Sequence, residues 1–452
     1  MLQMQSNNDF SQGSISSNII RLAVPMTLAQ LVNVLYNIVD RIYIGRIGAD
    51  ATNALTGLGV CFPIITIIIA FANLVGTGGA PLFSIQRGAG NDKEAEAIMG
   101  SCLTLLLCFG LSLTVIGLLV RRPLLLALGA SQTTLPYAMS YITIYLIGNV
   151  FVMLSLGLNA FINAQGFART GMLTVVIGAV LNLILDPIFI FALDMGVRGA
   201  AYATVLSQFV AAMWTIRFLT SPRTLLRLKT SYLHLQAARV KRILTLGLAG
   251  FTMSVTNSLV QMVCNSSLQF YGGDLYVGVM TVLNSVREII MLPVNGISSS
   301  AQPVISFNYG AHLNGRVKQA IRFTSTILVI YSLVVWGIVS AFPLFFIHIF
   351  NTDPTLTAVG VPSMHLYFFG FFLMALQFSG QSVFTALGKS RQAIFFSIFR
   401  KGIVVIPLTL LLPHIAGLGV NGVFIAEPIS NLVGGCACFT TMYFTVYRKL
   451  ET

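Results

Sequence analysis

The chain reads as an all-α integral membrane protein of about twelve transmembrane helices in two pseudo-symmetric six-helix lobes. Three observations predict this. Of its 452 residues, 56% are hydrophobic and 9% are charged, where a soluble domain carries roughly 25% charged residues. Apolar stretches recur along the whole length, and about 20 such residues cross the hydrocarbon layer as a helix. Finally, the chain matches itself when shifted by 222 residues.

The first apolar span, 19 to 45, is longer than a signal-peptide core, carries Asp40 and has no basic flank before it, so it is expected to be retained. Spans follow at 54 to 81, 97 to 120, 137 to 163, 172 to 193 and 198 to 219. The second half repeats the count with 243 to 270, 275 to 303, 319 to 345, 359 to 386, 392 to 412 and 418 to 446. The shift pairs Pro81 with Pro303, Ser84 with Ser306, Gly88 with Gly310, Ala164 with Ala386 and Gly166 with Gly388. One further residue of offset lays MGVRGAAYATVLSQ over LGVNGVFIAEPISN and pairs Gly196 with Gly419 and Gly199 with Gly422. A repeat of this length is a lobe of six helices, and six is even, so both lobes enter the membrane in the same sense. The expected organisation is an amino-terminal lobe over 1–219, a basic cytoplasmic linker over 220–242 and a carboxy-terminal lobe over 243–452.

The net charge of +13 does not point to nucleic acid, because the basic residues sit in short links between apolar spans. With both termini inside, cytoplasmic segments collect roughly 17 Lys and Arg against about five outside, which sets the orientation. Arg121 and Arg122 run against this assignment. The linker holds Arg223, Arg227, Lys229, Arg239, Lys241 and Arg242 and is expected to meet anionic headgroups. The six cysteines show neither a CxxC pair nor a zinc spacing, so they read as small core residues and no metal is expected.

Enzymatic motifs are missing or out of context. GKS at Gly388 to Ser390 lacks the first glycine of a phosphate-binding loop, since Val383 stands there. GTGG at Gly76 to Gly79 has no strand before it and reads as helix packing. HExxH and GxSxG do not occur, so no catalytic residues are assigned and an energy source other than ATP hydrolysis is expected.

Four acids fall inside spans: Asp40, Asp186, Glu288 and Glu427. A charge at membrane depth costs about 2.5 to 3.5 kcal/mol on insertion scales, so such residues face a bundle interior or a wet cavity and often bind ions or protons. Asn182 lies four residues before Asp186 and shares its face, while Pro187 frees the carbonyl of Leu183 and bends the helix. Asp40 continues a polar stripe with Asn33, Tyr36 and Asn37; its structural alternative is an interfacial pair with Arg41 or Arg46. Glu288 and Glu427 are possible secondary acids. For Glu427 a cation-attracting or proton-carrying role stands against pairing with Arg400 or Lys401 from the preceding helix. The 223 offset lays Thr204 over Glu427, while the 222 offset lays Asp186 over Leu408 and Asp40 over Met262.

Twelve spans in two lobes, PMTLAQLVNVLYNIVDRIYIGRIG near the start, NLILDPIFIFALDMGVRGAAYATVLSQ before the midpoint and QPVISFNYGAH at 302 to 312 together resemble the multidrug and toxic compound extrusion (MATE) family. In particular the chain is similar to the bacterial MepA-like branch. This resemblance implies a V-shaped pair of lobes in a bacterial plasma membrane, alternating access, and export of amphipathic, often cationic compounds driven by inward flow of protons or sodium ions. It implies no cofactor, and small molecules and the bilayer as partners of a monomer. It places cation or proton coupling at Asp40, Asn182, Asp186 and Thr204, the matching positions here. The NorM-like branch uses acids of helices seven and ten, which this chain lacks. Tyr36, Asn149, Met153, Met280 and Asn284 are the candidates for the substrate cavity, each mid-span on a helix that the family places at the cleft. A flippase for lipids or lipid-linked saccharides is the alternative transport reading. Its cavity calls for several basic groups, and the helical acids argue against it.

Overall fold

Proline and glycine set where the helices bend and stop in the computed structural model, which describes residues 8–47, 51–415 and 417–450. Contacts divide the chain into two units, one built on Val24–Gly247 and the other on Phe10–Ala23 together with the chain from Leu248 onward.

The amino-terminal unit holds α1 (Ile15–Ile44) from Val24 on, α2 (Ala51–Gly88), α3 (Asp92–Ala127), α4 (Leu135–Ala164), α5 (Ala168–Pro187) and α6 (Gly196–Thr220). Its core is a continuous cluster of Leu, Ile, Val, Ala and aromatic side chains drawn from these helices. Small residues let backbones approach where the helices cross, as in other membrane bundles. A Cβ on Gly76 would stand 3.0 Å from the carbonyl oxygen of Gly157 on α4. Asn149 on α4 donates its amide to Thr114 Oγ1 at 2.8 Å and to the Gly110 carbonyl at 3.2 Å, pinning α4 to α3.

The residues after α6 do not hang free. Lys229 Nζ reaches Glu96 Oε2 at 2.6 Å, and Arg239 clamps Glu94 through Nε at 3.0 Å and Nη2 at 2.8 Å. Thr224 Oγ1 and the Leu226 amide both donate to Gln165 Oε1, at 2.6 and 2.9 Å. Two of the six basic side chains of this stretch, Lys229 and Arg239, are therefore spent on the acids at the start of α3.

The carboxy-terminal unit holds most of α7 (Ala237–Gly310), then α8 (Asn314–Ala341), the short α9 (Pro343–His348), α10 (Pro354–Phe368), α11 (Met374–Ala386), α12 (Ser390–Ile398), α13 (Ile406–Leu411) and α14 (Val420–Thr445). Among the described residues eleven helices are long and apolar enough to cross a membrane. The longest contains two spans, because Gly273 leaves helical geometry at φ 69°, ψ −167°, a conformation open to glycine and costly for other residues. The expected spans 243 to 270 and 275 to 303 are the arms on either side of it. The tenth span breaks at Gly370, φ 69°, between α10 and α11. In the eleventh, α12 passes through a π-helical stretch, Phe399–Val405, into α13.

The first turns of α1 belong to the carboxy-terminal unit. Arg316 donates from Nη2 to the carbonyls of Phe10 and Gln12 at 2.9 and 3.0 Å and from Nη1 to that of Gly13 at 3.1 Å. Asn308 adds a bond to the Phe10 carbonyl at 3.0 Å. The repeat persists in the backbone. Gly166 and Gly388 both have positive φ, 90° and 68°, as do Gly196 and Gly419, 54° and 46°. Gly90, at 72°, is matched by His312 at 58°, a left-handed position occupied without glycine.

Candidate functional site

Asp186 sits on the last α-helical turn of α5, one residue before Pro187, where the chain winds into a π-helical turn, Ile188–Ala192. Proline offers no amide hydrogen there, and the widened turn absorbs the mismatch, as π-bulges at functional sites do. The first turn of α6 then folds back on this segment. A Cβ on Gly199 would lie 2.6 Å from the carbonyl carbon of Phe189, so only glycine allows so close an approach.

That approach brings Thr204 beside α5. The Asn182 amide nitrogen donates to Asp186 Oδ1 at 3.2 Å and faces Thr204 Oγ1 at 3.4 Å. Asp186 is 1% exposed. The Asp40 carboxyl group from α1 lies within hydrogen-bonding reach of it. Asp40 Oδ1 and Asp186 Oδ2 are both enclosed and meet no donor. Two carboxylates so placed repel one another away from water, and only a shared proton or an interposed cation relieves this. All four expected coupling residues thus converge in the amino-terminal unit. Arg41 stacks on Phe62, its guanidinium carbon 4.6 Å from the ring centre.

One participant escaped the sequence reading. Tyr141 on α4 directs its hydroxyl to Thr204 and is 4% exposed. A tyrosine among apolar residues carries no periodic signal, so only the packing of α4 against α6 reveals it.

Tyr36 lines a cavity of about 210 Å³ in the same unit, with Asn33, Asn159, Asn163 and Gln208 around it. Asn159 Oδ1, Asn163 Oδ1 and Gln208 Oε1 are enclosed acceptors without donors, a lining suited to ligands that donate hydrogen bonds. Asn149 and Met153 line neither this cavity nor the one described below. Both are 0% exposed; the asparagine is consumed by α3 and the methionine fills the core.

Met280 and Asn284 line a second cavity, of about 420 Å³, in the carboxy-terminal unit, with Gln261, Arg287, Glu288, Tyr367, Lys401 and Glu427. Of the two alternatives for Glu427, the structure shows the pairing with Arg400 and Lys401. Lys401 Nζ donates to both of its carboxylate oxygens at 2.9 and 3.0 Å, Arg400 Nη1 to Oε1 at 3.3 Å, and Arg287 Nη2 lies 3.5 Å away. A carboxylate facing three cations has no charge left to attract a fourth. Glu288 is exposed at the same cavity, without an ion-pair partner among the described residues.

The MatE family model matches residues 25–188 and 250–411, most of the chain and both repeats. The chain belongs to the MATE family. MATE members are transporters and not enzymes, so this is a multi-pass membrane transporter. Among its relatives, the multidrug export protein MepA of Staphylococcus haemolyticus is 26% identical over 97% of this chain and 94% of its own. A protein of Shewanella oneidensis named an FAD transporter is 25% identical over 94% of this chain and 95% of its own. Among solved structures, a MATE transporter crystallised in its bent conformation superposes with a TM-score of 0.92 at 25% identity, covering 98% of each chain. The MATE assignment sets aside the flippase reading, although the basic groups that reading calls for do occur, in the carboxy-terminal unit.

Proposed function

We propose that this MATE transporter is a proton- or sodium-coupled antiporter that exports amphipathic, often cationic compounds by alternating access. In this reading the lobes 1–219 and 243–452, joined by the linker 220–242 and related by an axis along the membrane normal, rock about a central cavity, the protein works as a monomer, and both termini face the cytoplasm of a bacterial plasma membrane. Coupling belongs to Asp40, Asn182, Asp186 and Thr204. The observation that carries it is the buried meeting of two carboxyl groups, each with an oxygen that lacks a donor, beside an amide and a hydroxyl. A proton bridges the pair with nothing further required. A sodium ion would use the same carboxylates with the oxygens of Asn182 and Thr204 as the hard ligands it prefers. Either occupant cancels one of the two negative charges and ends the repulsion, and its departure restores it. This makes the site a two-state element that an ion gradient can bias. Tyr36 and the amide-lined cavity around it supply the substrate path in this unit.

Dye efflux from proteoliposomes under separately imposed proton and sodium gradients tests this. One gradient should drive efflux, and Asp186→Asn should lower the driven rate by roughly a hundredfold or more while preserving the folded protein, since the exchangeable charge is gone. Undiminished efflux by that variant at matched reconstitution would defeat the assignment.

A further inference from the structure

The cavity of the carboxy-terminal unit has a charge balance that the coupling site does not use. Three cations surround one carboxylate: Lys401 is 2% exposed, Arg400 3% and Glu427 6%. Arg400 turns its remaining bond away from the cavity, to Asn431 Oδ1 at 2.9 Å. Arg287 differs from the other two. It reaches Glu427 only loosely, at 3.5 Å, its side chain is 22% exposed, and its Nη1 donates to Tyr367 Oη at 3.0 Å. Tyr367 continues the network to Asn284 Oδ1 at 3.3 Å, and Asn284 to Gln261 Oε1 at 3.1 Å. A polar wall therefore runs from the buried cluster to the cavity mouth, facing Met280, Met291, Val260 and Val423. Arg287 and Lys401 line the cavity with Glu288 and Glu427, and Arg400 stands behind the wall on Glu427, so the enclosed cluster sets three cations against one carboxylate. An unbalanced buried charge is costly unless a partner is supplied.

We propose that this cavity binds the anionic group of an amphipathic organic acid, a carboxylate or a phosphate, so that the transporter's range includes acidic as well as cationic compounds. Arg287 is the primary contact, offering the planar donor fork that matches such oxyanions. Lys401 and Arg400 supply the field behind it. The methionines and valines receive the apolar body, and a volume of about 420 Å³ lies within the range of drug-sized sites. Glu288 at the rim opposes the ligand and sets its affinity. The inference extends the export reading and depends on it only for movement across the membrane, since binding needs no gradient.

The test uses a carboxylated xanthene dye, its uncharged ester and a cationic phenanthridinium dye, with the full-length transporter in phosphatidylcholine nanodiscs. Fluorescence polarisation should show saturable binding of the acid and weaker binding of the ester. Arg287→Gln should raise the half-saturating concentration of the acid by about tenfold or more, as expected for loss of a charge-assisted contact, and leave the cationic dye unchanged. Glu288→Gln should tighten binding of the acid by a few fold, a gain that a merely structural role for the cluster would not produce. Asp186→Asn should bind the acid normally, so a failure of coupling and a failure of this site are told apart. Equal binding of acid and ester overturns the proposal, and so do equal losses for acid and cation in Arg287→Gln. Displacement of the acid by phosphatidylglycerol in the disc would assign the site to lipid and likewise overturn it.

Discussion

Glu427 shows how much a single side chain's meaning depends on what stands opposite it. On the helix it occupies the position of Thr204 in the other repeat, followed by Pro428, and the sequence leaves it between an acid for protons or cationic ligands and a partner of Arg400 or Lys401. In the folded unit it is the counter-ion of Lys401, Arg400 and Arg287. Removing it should expose that role. Glu427→Gln leaves three cations facing one another and should cost about 3 to 5 kcal/mol, the penalty for breaking a buried ion cluster on one side. A thermal melt in detergent checks this. A melting temperature equal to that of the parent would mean that the cluster is neutralised in some other way. Asp186 presents the opposite case. Its partner Asn182 was legible from the four-residue spacing alone, because an α-helix places such neighbours on one face whatever surrounds it.

At the scale of the element, the proposed coupling site depends on how α5 ends and how α6 begins. Pro187 removes an amide, the π turn over Ile188–Ala192 follows, and Gly199 permits α6 to settle against Phe189. Gly422 does the same in the second repeat, where a Cβ would stand 2.6 Å from the Pro413 nitrogen. Gly199→Ala should therefore push α6 outward. We expect a loss of about 1 to 3 kcal/mol in stability, as for other overpacked contacts, and a fall in driven efflux larger than that of a distant glycine variant such as Gly315→Ala, where a Cβ meets open space. Equal behaviour of the two variants in melting and efflux would show that the contact does not position Thr204. The π turn had a sequence signal in Pro187, but the stretch over Phe399–Val405 had none of that kind, since Pro407 lies beyond it.

Across the whole molecule, two repeats of one ancestral pattern carry different charges: a pair of acids in one, and a cationic cluster around one acid in the other. Orientation in the membrane follows from the loops and is tested with cysteines. In a Cys108→Ser background, which removes an exposed native thiol, Ser231→Cys should react with a membrane-impermeant maleimide only in inside-out vesicles. Gln132→Cys should react only in right-side-out vesicles. Both positions are exposed in the fold, so the reversed pattern would invert the proposed topology.

The family and the four residues that meet around Asp186 were legible only through a resemblance in motifs; by itself the sequence determined the membrane class, the number of spans and the duplication. These rest on properties that survive without tertiary contacts: mean hydropathy, the 3.6-residue period and identities at a constant offset. Even the break at Gly273 falls in the gap left between two expected spans. Only the tertiary structure decided what each polar group is paired with. Asn149 is mid-span and polar in the sequence, yet α3 claims its amide. Tyr141 is unremarkable in the sequence, yet it closes on Thr204. The carboxy-terminal cavity is cationic because Arg287, Arg400 and Lys401, up to 114 residues apart along the chain, converge on Glu427. The energy of a charge in a low-dielectric interior is set by neighbours within a few ångströms, and distance along the chain says nothing of them until the helices have packed.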